Sequence, residues 1–282
     1  RTKVLKQKET ILDFFNSFLL KHPSSYIRRL DLEEMVCFIL SIEKAELYSN
    51  PNEMTTSQQS LLNSMLTRRN NGEPLAYILG KKGFWDFDLD VNNKVLVPRP
   101  ETETLVESVL CSFKKQYKRV LELGTGSGAI ALSLSKERSN WEVFASDISE
   151  DALKVAKKNQ EKFNHPVNFV QANWLEPFDN NCFDLVVSNP PYIDENDKLL
   201  KSDGLIFEPK IALVSKKKGF KDLKDIIATS HRTLKRGGSL FLEHAPLQSS
   251  SIRTEFQNEG FKDIKVFKDL NRDYRVSSAV KV

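Results

Sequence analysis

The segment Ser188-Asn189-Pro190-Pro191-Tyr192 holds the residues of this chain best suited to chemistry. Proline disfavours the helical region in the residue before it, so Pro190 keeps Asn189 extended and Pro191 does the same to Pro190. A stiff loop of this kind presents the Asn189 side-chain oxygen and the Pro190 carbonyl as two fixed acceptors. A planar NH2 group has two donors to match them. An amide nitrogen is a poor nucleophile, because its lone pair is delocalised into the carbonyl. Two acceptors can aim that lone pair at an electrophilic methyl and stabilise the positive charge that develops on nitrogen. The Tyr192 ring can lie against the substrate plane and favour a cationic methyl by cation–π attraction. This reading makes Asn189, Pro190 and Tyr192 catalytic, with Asn189 to Tyr192, including Pro191, holding the substrate. No general base is required nearby, since the amide proton becomes acidic only once transfer has begun.

A second segment supplies the cofactor site. Val120 to Ile130 reads as a strand, a tight turn through Gly124-Thr125-Gly126-Ser127-Gly128, and a helix start. Glycines let a ligand approach the main chain, and the helix N-terminus offers free N–H groups. Asp147 closes the next strand about 20 residues on, where a carboxylate can accept both hydroxyls of a ribose. The glycine pattern also fits dinucleotide enzymes, so alone it does not choose between NAD and S-adenosylmethionine. The loop at 188–192 chooses, because hydride transfer has no use for paired amide acceptors.

These segments need elements to position them. Residues 1–79 show apolar positions at helical spacing, as in Ile11, Phe14, Phe15, Phe18 and in Leu32, Met35, Val36, Ile39. They predict a small helical bundle, punctuated by Pro23, Pro51 and Gly72, with Thr56 or Ser57 capping one helix. Residues 80–97 alternate, and the Asn92-Asn93 pair predicts a β-hairpin turn there, in a linker between two domains. From residue 98 to 282 helices and strands alternate. Strands are expected at 119–123, 142–147, 167–171, 183–188, 239–243, 264–267 and 276–282, with helices at 102–116, 150–163, 223–234 and 252–258. Such alternation predicts an α/β domain with a mostly parallel sheet, and the last two strands leave room only for an antiparallel pair.

Composition narrows the classes. In 282 residues the net charge is +4, which permits an acidic or nucleic-acid-associated partner without requiring one. No apolar run approaches a membrane span, and Arg1-Thr2-Lys3-Val4-Leu5 lacks a secretory core. Cys37, Cys111 and Cys182 are odd in number and far apart, which predicts reduced thiols. The four histidines show no ligand spacing, so no metal is expected.

Taken together the chain resembles the HemK/PrmC family, the N(5)-glutamine methyltransferases of peptide chain release factors. The matching motifs are Pro98-Arg99-Pro100-Glu101-Thr102-Glu103, Glu122 to Gly128, Ser188 to Ile193, Phe207-Glu208-Pro209 and Glu243-His244. The resemblance implies a seven-stranded Rossmann-like methyltransferase sheet, a small all-α N-terminal domain that recognises the substrate, and S-adenosyl-L-methionine as cofactor. Gly124 to Gly128, Asp147 and Asn189 then hold the cofactor, and Trp174 packs near its adenine. The implied substrate is the glutamine of a release-factor Gly-Gly-Gln motif, in a cytoplasmic monomer with no stable nucleic-acid or membrane binding. Two departures occur: Asn173 stands where the family usually has Asp, and Ala245 follows His244 where Gly is common. The alternative is an amino-group methyltransferase acting on adenine or guanine, since Asn-Pro-Pro-Tyr is shared with those enzymes. Open at this point are Arg99 and Glu101 (cofactor or helix cap), Phe207 and Glu208 (substrate entrance or packing), Glu243 and His244, and the basic runs at Lys114-Lys115 and Lys216-Lys217-Lys218. Phe84, Trp85 and Phe87 read as interdomain core.

Overall fold

The computed structural model describes residues 10–22, 27–49, 53–114, 116–202 and 204–282. Arg1 to Leu5, Pro23, Pro51 and Lys115 lie outside the described residues. The described chain forms two compact units, one reaching Gly80 and including residues 204–207, the other comprising the rest.

The first unit contains α1 (Ile11–Lys21), α2 (Arg29–Leu40), α3 (Lys44–Ser49), α4 (Thr56–Asn70) and α5 (Leu75–Leu79). Thr10 and Asp13 form a capping box at the start of α1. Thr55, with Gln58, caps α4 in the same way, one residue before the expected cap. Its hydroxyl and the Gln58 side chain satisfy backbone donors reciprocally, which Thr56 inside the helix cannot do. Phe15, Leu32, Met35, Val36, Leu62 and Met65 share one apolar core. Gly80, at φ 73°, ends α5.

The second unit opens with a hairpin, β1 (Lys81–Phe84) and β2 (Phe87–Asp90). Its turn lies at Trp85-Asp86, not at the expected Asn92-Asn93. Trp85 takes a φ of 54°, held by its N–H donating to the Glu103 carboxylate at 2.7 Å. Asn92 instead closes a local turn, its side chain accepting from the Lys94 N–H at 2.9 Å. Nor is the hairpin a free linker. Asn159, fully buried, exchanges hydrogen bonds with the Asp90 backbone and also donates to the Ser127 carbonyl. Phe84 and Phe87 sit in the sheet unit's own core.

The remaining elements are the 3-10 turn Pro100–Thr102, α6 (Glu103–Ser112), β3 (Arg119–Leu123), α7 (Ala129–Glu137), β4 (Glu142–Asp147), α8 (Glu150–Phe163), β5 (Asn168–Gln171) and β6 (Phe183–Ser188). A short pair, β7 (Ile193–Asp194) and β8 (Val214–Ser215), precedes the single turn α9 (Lys216–Gly219). Then come α10 (Lys221–Thr233), β9 (Leu234–Glu243), α11 (Ser249–Asn258), β10 (Lys262–Lys268) and β11 (Tyr274–Val280). Seven strands form one sheet in the order β10-β11-β9-β6-β3-β4-β5. The pairs from β9 to β5 are parallel, and β11 is antiparallel to both of its neighbours. Side chains alternate between the two faces: Val120, Leu185 and Val187 join one core with α6 and α7, whereas Leu121, Leu123 and Val186 join another with α10 and α11. Both faces are covered, as a parallel sheet demands.

The chain steps outward from β3 to β5, then returns to place β6 on the other side of β3. That reversal leaves a crevice at the carboxyl ends of β3 and β6, the position where open α/β sheets bind ligands.

Candidate active site

Three strand ends converge at this crevice. Leu123, ending β3, lies opposite Ser146 on β4 and opposite Ser188 on β6. The Ser188 hydroxyl donates to the Leu123 carbonyl at 2.8 Å, tying the glycine loop to the Asn-Pro-Pro-Tyr loop at their roots. Gly124, Gly126 and Gly128 all take positive φ, at 71°, 55° and 85°. L-residues with a Cβ rarely adopt that conformation, so the sharp path of the loop depends on glycine there. The Gly124 and Thr125 N–H groups donate to the Ser146 carbonyl, which pins the loop over β4.

Asp147 accepts from the Gly126 N–H through Oδ2 and from the Ser149 N–H through Oδ1, both at 2.9 Å. Each carboxylate oxygen has a second lone pair, so two acceptor sites remain for a vicinal diol. Burial raises its pKa, and the backbone donors oppose that rise.

A cavity of about 210 Å³ opens here, lined among others by Leu96, Gly124, Asp147, Ile148, Trp174 and Asn189. A smaller one of about 50 Å³, lined by Arg99, Thr102, Glu122 and Thr125 to Ser127, shares Leu96, Gly124, Gly126 and Asn189 with it. The geometry fits a nucleoside with a polar tail. The glycine loop leaves room for close backbone approach, Asp147 has acceptor capacity left at the cavity, and the Trp174 ring stands over Gly124, where a Cβ would lie 3.5 Å from it. Thr125 turns inward, its hydroxyl donating to Glu122 at 2.6 Å. Asn173 spends its Nδ2 on Glu176, which leaves its oxygen as acceptor.

In the other loop, Asn189 Nδ2 donates to the Thr102 hydroxyl at 3.1 Å. In this arrangement Nδ2 is the donor and Oδ1 is left to accept. Asn189 and Pro191 line the larger cavity; Pro190 and Tyr192 line neither. Tyr192 is partly buried against the apolar core, its hydroxyl donating to Glu243 at 3.2 Å. Its carbonyl accepts from Gln248 Nε2 at 3.1 Å and abuts Gly219, where a Cβ would fall 2.2 Å from that oxygen.

The open positions now have places. Arg99 pairs with Glu208, whose other oxygen accepts the Val97 N–H at 3.0 Å. Val97, in a run expected as a strand, thus gives its N–H to a carboxylate and not to a neighbouring strand. His244 is fully buried. Its Nδ1 faces the Ala245 carbonyl at 2.8 Å and must donate to it, so Nε2 accepts from Ser277. Burial lowers its pKa, and it reads as structural. Lys216 to Lys218 are exposed. Among the described residues no cluster of three or more His, Cys, Asp or Glu side chains could hold a metal ion, and no helix is long and apolar enough to cross a membrane. Sequence reasoning missed Leu96 and Ile148 on the cavity wall. Ile148, an apolar residue 49% exposed directly after the strand-end acid, carried a signal that was there to find.

Comparison with known proteins agrees with this geometry. Residues 11–80 match the family model of the PrmC N-terminal domain, and residues 101–216 that of the methyltransferase small domain. The chain is 38% identical over 254 residues to a release factor glutamine methyltransferase of Shewanella oneidensis, covering 89% of each. It is 39% identical over 226 residues to the release factor glutamine methyltransferase of Escherichia coli strain K12, covering 80% of this chain and 82% of that one. A methyltransferase structure from Pyrococcus furiosus superposes with a TM-score of 0.55 at 21% identity, over 78% of this chain and 98% of that one, which shows the shared fold. Relatives of this identity, matched along more than three quarters of both chains, show that the chain belongs to the release factor glutamine methyltransferase family.

Proposed function

We propose that this protein uses S-adenosyl-L-methionine to methylate the side-chain amide nitrogen of a glutamine in peptide chain release factors, the one in their Gly-Gly-Gln motif. The observation that carries the reading is Asn189, an amide whose donor end is committed to Thr102 and whose acceptor end is left at the cofactor cavity. The names of the relatives support the choice of substrate. When bound, the cofactor supplies an electrophilic sulfonium methyl. Gly124 to Gly128, Asp147 and Trp174 hold it. Asn189 Oδ1 and the Pro190 carbonyl would accept hydrogen bonds from the two amide N–H groups, fixing the nitrogen plane and stabilising positive charge on it. Pro190 and Pro191 keep those acceptors preorganised, so little reorganisation is required at transfer. Tyr192 closes the loop, and the surplus proton leaves the alkylated nitrogen for water. The same reading has the helical domain, residues 1–79, recognise the release factor, in a cytoplasmic monomer without stable nucleic-acid binding.

The test is Asn189→Ala, in single-turnover transfer to a release factor with cofactor affinity measured in parallel. Transfer is expected to fall by roughly 10²–10³ while cofactor binding is nearly kept. Asn189→Asp, which retains an acceptor, should keep more activity than the alanine variant. Wild-type transfer by the alanine variant would remove the loop from the mechanism, and methylation of nucleic acid in its place would redirect the substrate assignment.

A further inference from the structure

Glu243 ends β9 directly behind the Asn189–Tyr192 loop and is 1% exposed. Its Oε1 accepts from the Tyr192 hydroxyl, while Oε2 is buried with no hydrogen-bond partner. An unpaired buried carboxylate oxygen costs free energy that an apolar side chain would not, so packing alone does not account for a glutamate here. The Thr102 hydroxyl lies beside the same carboxylate. Thr102, 4% exposed, already accepts from Asn189 Nδ2, so its own proton is available to donate, and the Glu243 carboxylate is a strong acceptor for it. One carboxylate therefore stands behind both ends of the loop.

We propose that Glu243 is a positioning residue for methyl transfer: it holds Tyr192 directly and Asn189 through Thr102, so that the two loop acceptors stay aimed at the amide. This rests on the reading of Asn189–Tyr192 as the amide-holding loop. The titratable and charged groups facing Glu243 are Tyr192 from that loop, Arg275 from β11 and Glu101 from the 3-10 turn. Arg275 is drawn away by Asp269, to which its Nε donates at 3.1 Å. Burial pushes the Glu243 carboxyl up to about 7, opposed by Thr102, Arg275 and Tyr192 and reinforced by Glu101. Above that pH the carboxylate is a charged acceptor for both hydroxyls. As pH falls through it, the group takes a proton, both contacts weaken, and the loop loosens.

The experiment compares wild-type protein with Glu243→Gln and Thr102→Val. Glu243→Gln keeps the shape and removes the charge; Thr102→Val cuts the link to Asn189. Each should lower kcat by roughly 10- to 100-fold, the scale set by a small misplacement of reacting groups. Cofactor Kd and the KM for a release factor should stay within about threefold. Wild-type kcat should show an acid limb near pH 7 that is absent in Glu243→Gln, and the double variant should be no slower than the worse single. Wild-type kcat with an unchanged acid limb in Glu243→Gln overturns the proposal. If that variant does not fold, wild-type kcat in Thr102→Val overturns it. Asn189→Ala, run alongside, separates the two readings. Should it transfer normally, the loop assignment fails and Glu243 with it; should it be inactive while Glu243→Gln matches wild type, the Glu243 role alone fails.

Discussion

Asp147 meets two demands with one carboxylate, shaping the loop through the Gly126 and Ser149 N–H groups while presenting its remaining lone pairs to the cavity. Asp147→Ala is expected to weaken binding of S-adenosylmethionine by roughly 1.5–3 kcal/mol, the worth of a charge-assisted pair of hydrogen bonds. The sheet should survive, since Asp147 lies at a strand end and outside both apolar cores. Calorimetric titration checks this, and an unchanged dissociation constant would sink the ribose assignment. The residues of this kind were legible in the sequence because their signal is local: a glycine spacing, an acid about 20 residues on, a proline pair after an asparagine. Thr102 and Glu243 were not legible as partners of the loop. They reach Asn189 and Tyr192 across 87 and 51 positions, and only the placement of β9 beside β6 brings Glu243 there.

Among elements, β3, the glycine loop and α7 are joined by a single buried group. Glu122 is 1% exposed, and its Oε2 accepts both the Thr125 hydroxyl at 2.6 Å and the Ala131 N–H at 3.0 Å. Burial pushes its carboxyl up to about 8 from an ordinary 4.5, with the Asp147 charge adding to the rise. Between those values the folded chain keeps a proton that the unfolded chain has lost. Stability therefore falls as pH rises from about 4.5 to 8. In Glu122→Gln one amide oxygen can accept both bonds and no charge forms. Its melting temperature should decline less than that of wild type between pH 5 and pH 8, by thermal unfolding followed with circular dichroism. A decline equal to wild type would show that Glu122 is not the group responsible; Glu243, pushed up to about 7, leaves a residual slope in either case. Element order was legible from periodicity, because a sheet covered on both faces needs alternating strands and helices. The hairpin turn was not. Turn chemistry pointed to Asn92-Asn93, but the Glu103 carboxylate stabilises a positive φ at Trp85, and that contact comes from the fold.

For the molecule as a whole, every residue lining the two cavities lies beyond Gly80. A chain beginning at Lys81 is therefore expected to retain cofactor affinity but to lose most transfer to a folded release factor. Equal activity of the shortened and full chains on that substrate would refute a recognition role for the helical unit. The unit is not contiguous, however. Leu205–Phe207 forms a short 3-10 turn that belongs to it, and the Phe207 ring lies where a Cβ on Gly72 would meet it at 3.6 Å. A ribosome makes the chain in one direction, at about 5–20 residues per second, so the helices emerge roughly 6–25 s before the turn that joins their unit. During that wait β3, β4, β5 and β6 leave the ribosome, and Asn189 to Tyr192 with them. A nascent chain whose helical unit is whole has thus already made the Asn189–Tyr192 loop. The first unit thus receives its last segment only after most of the sheet has been translated.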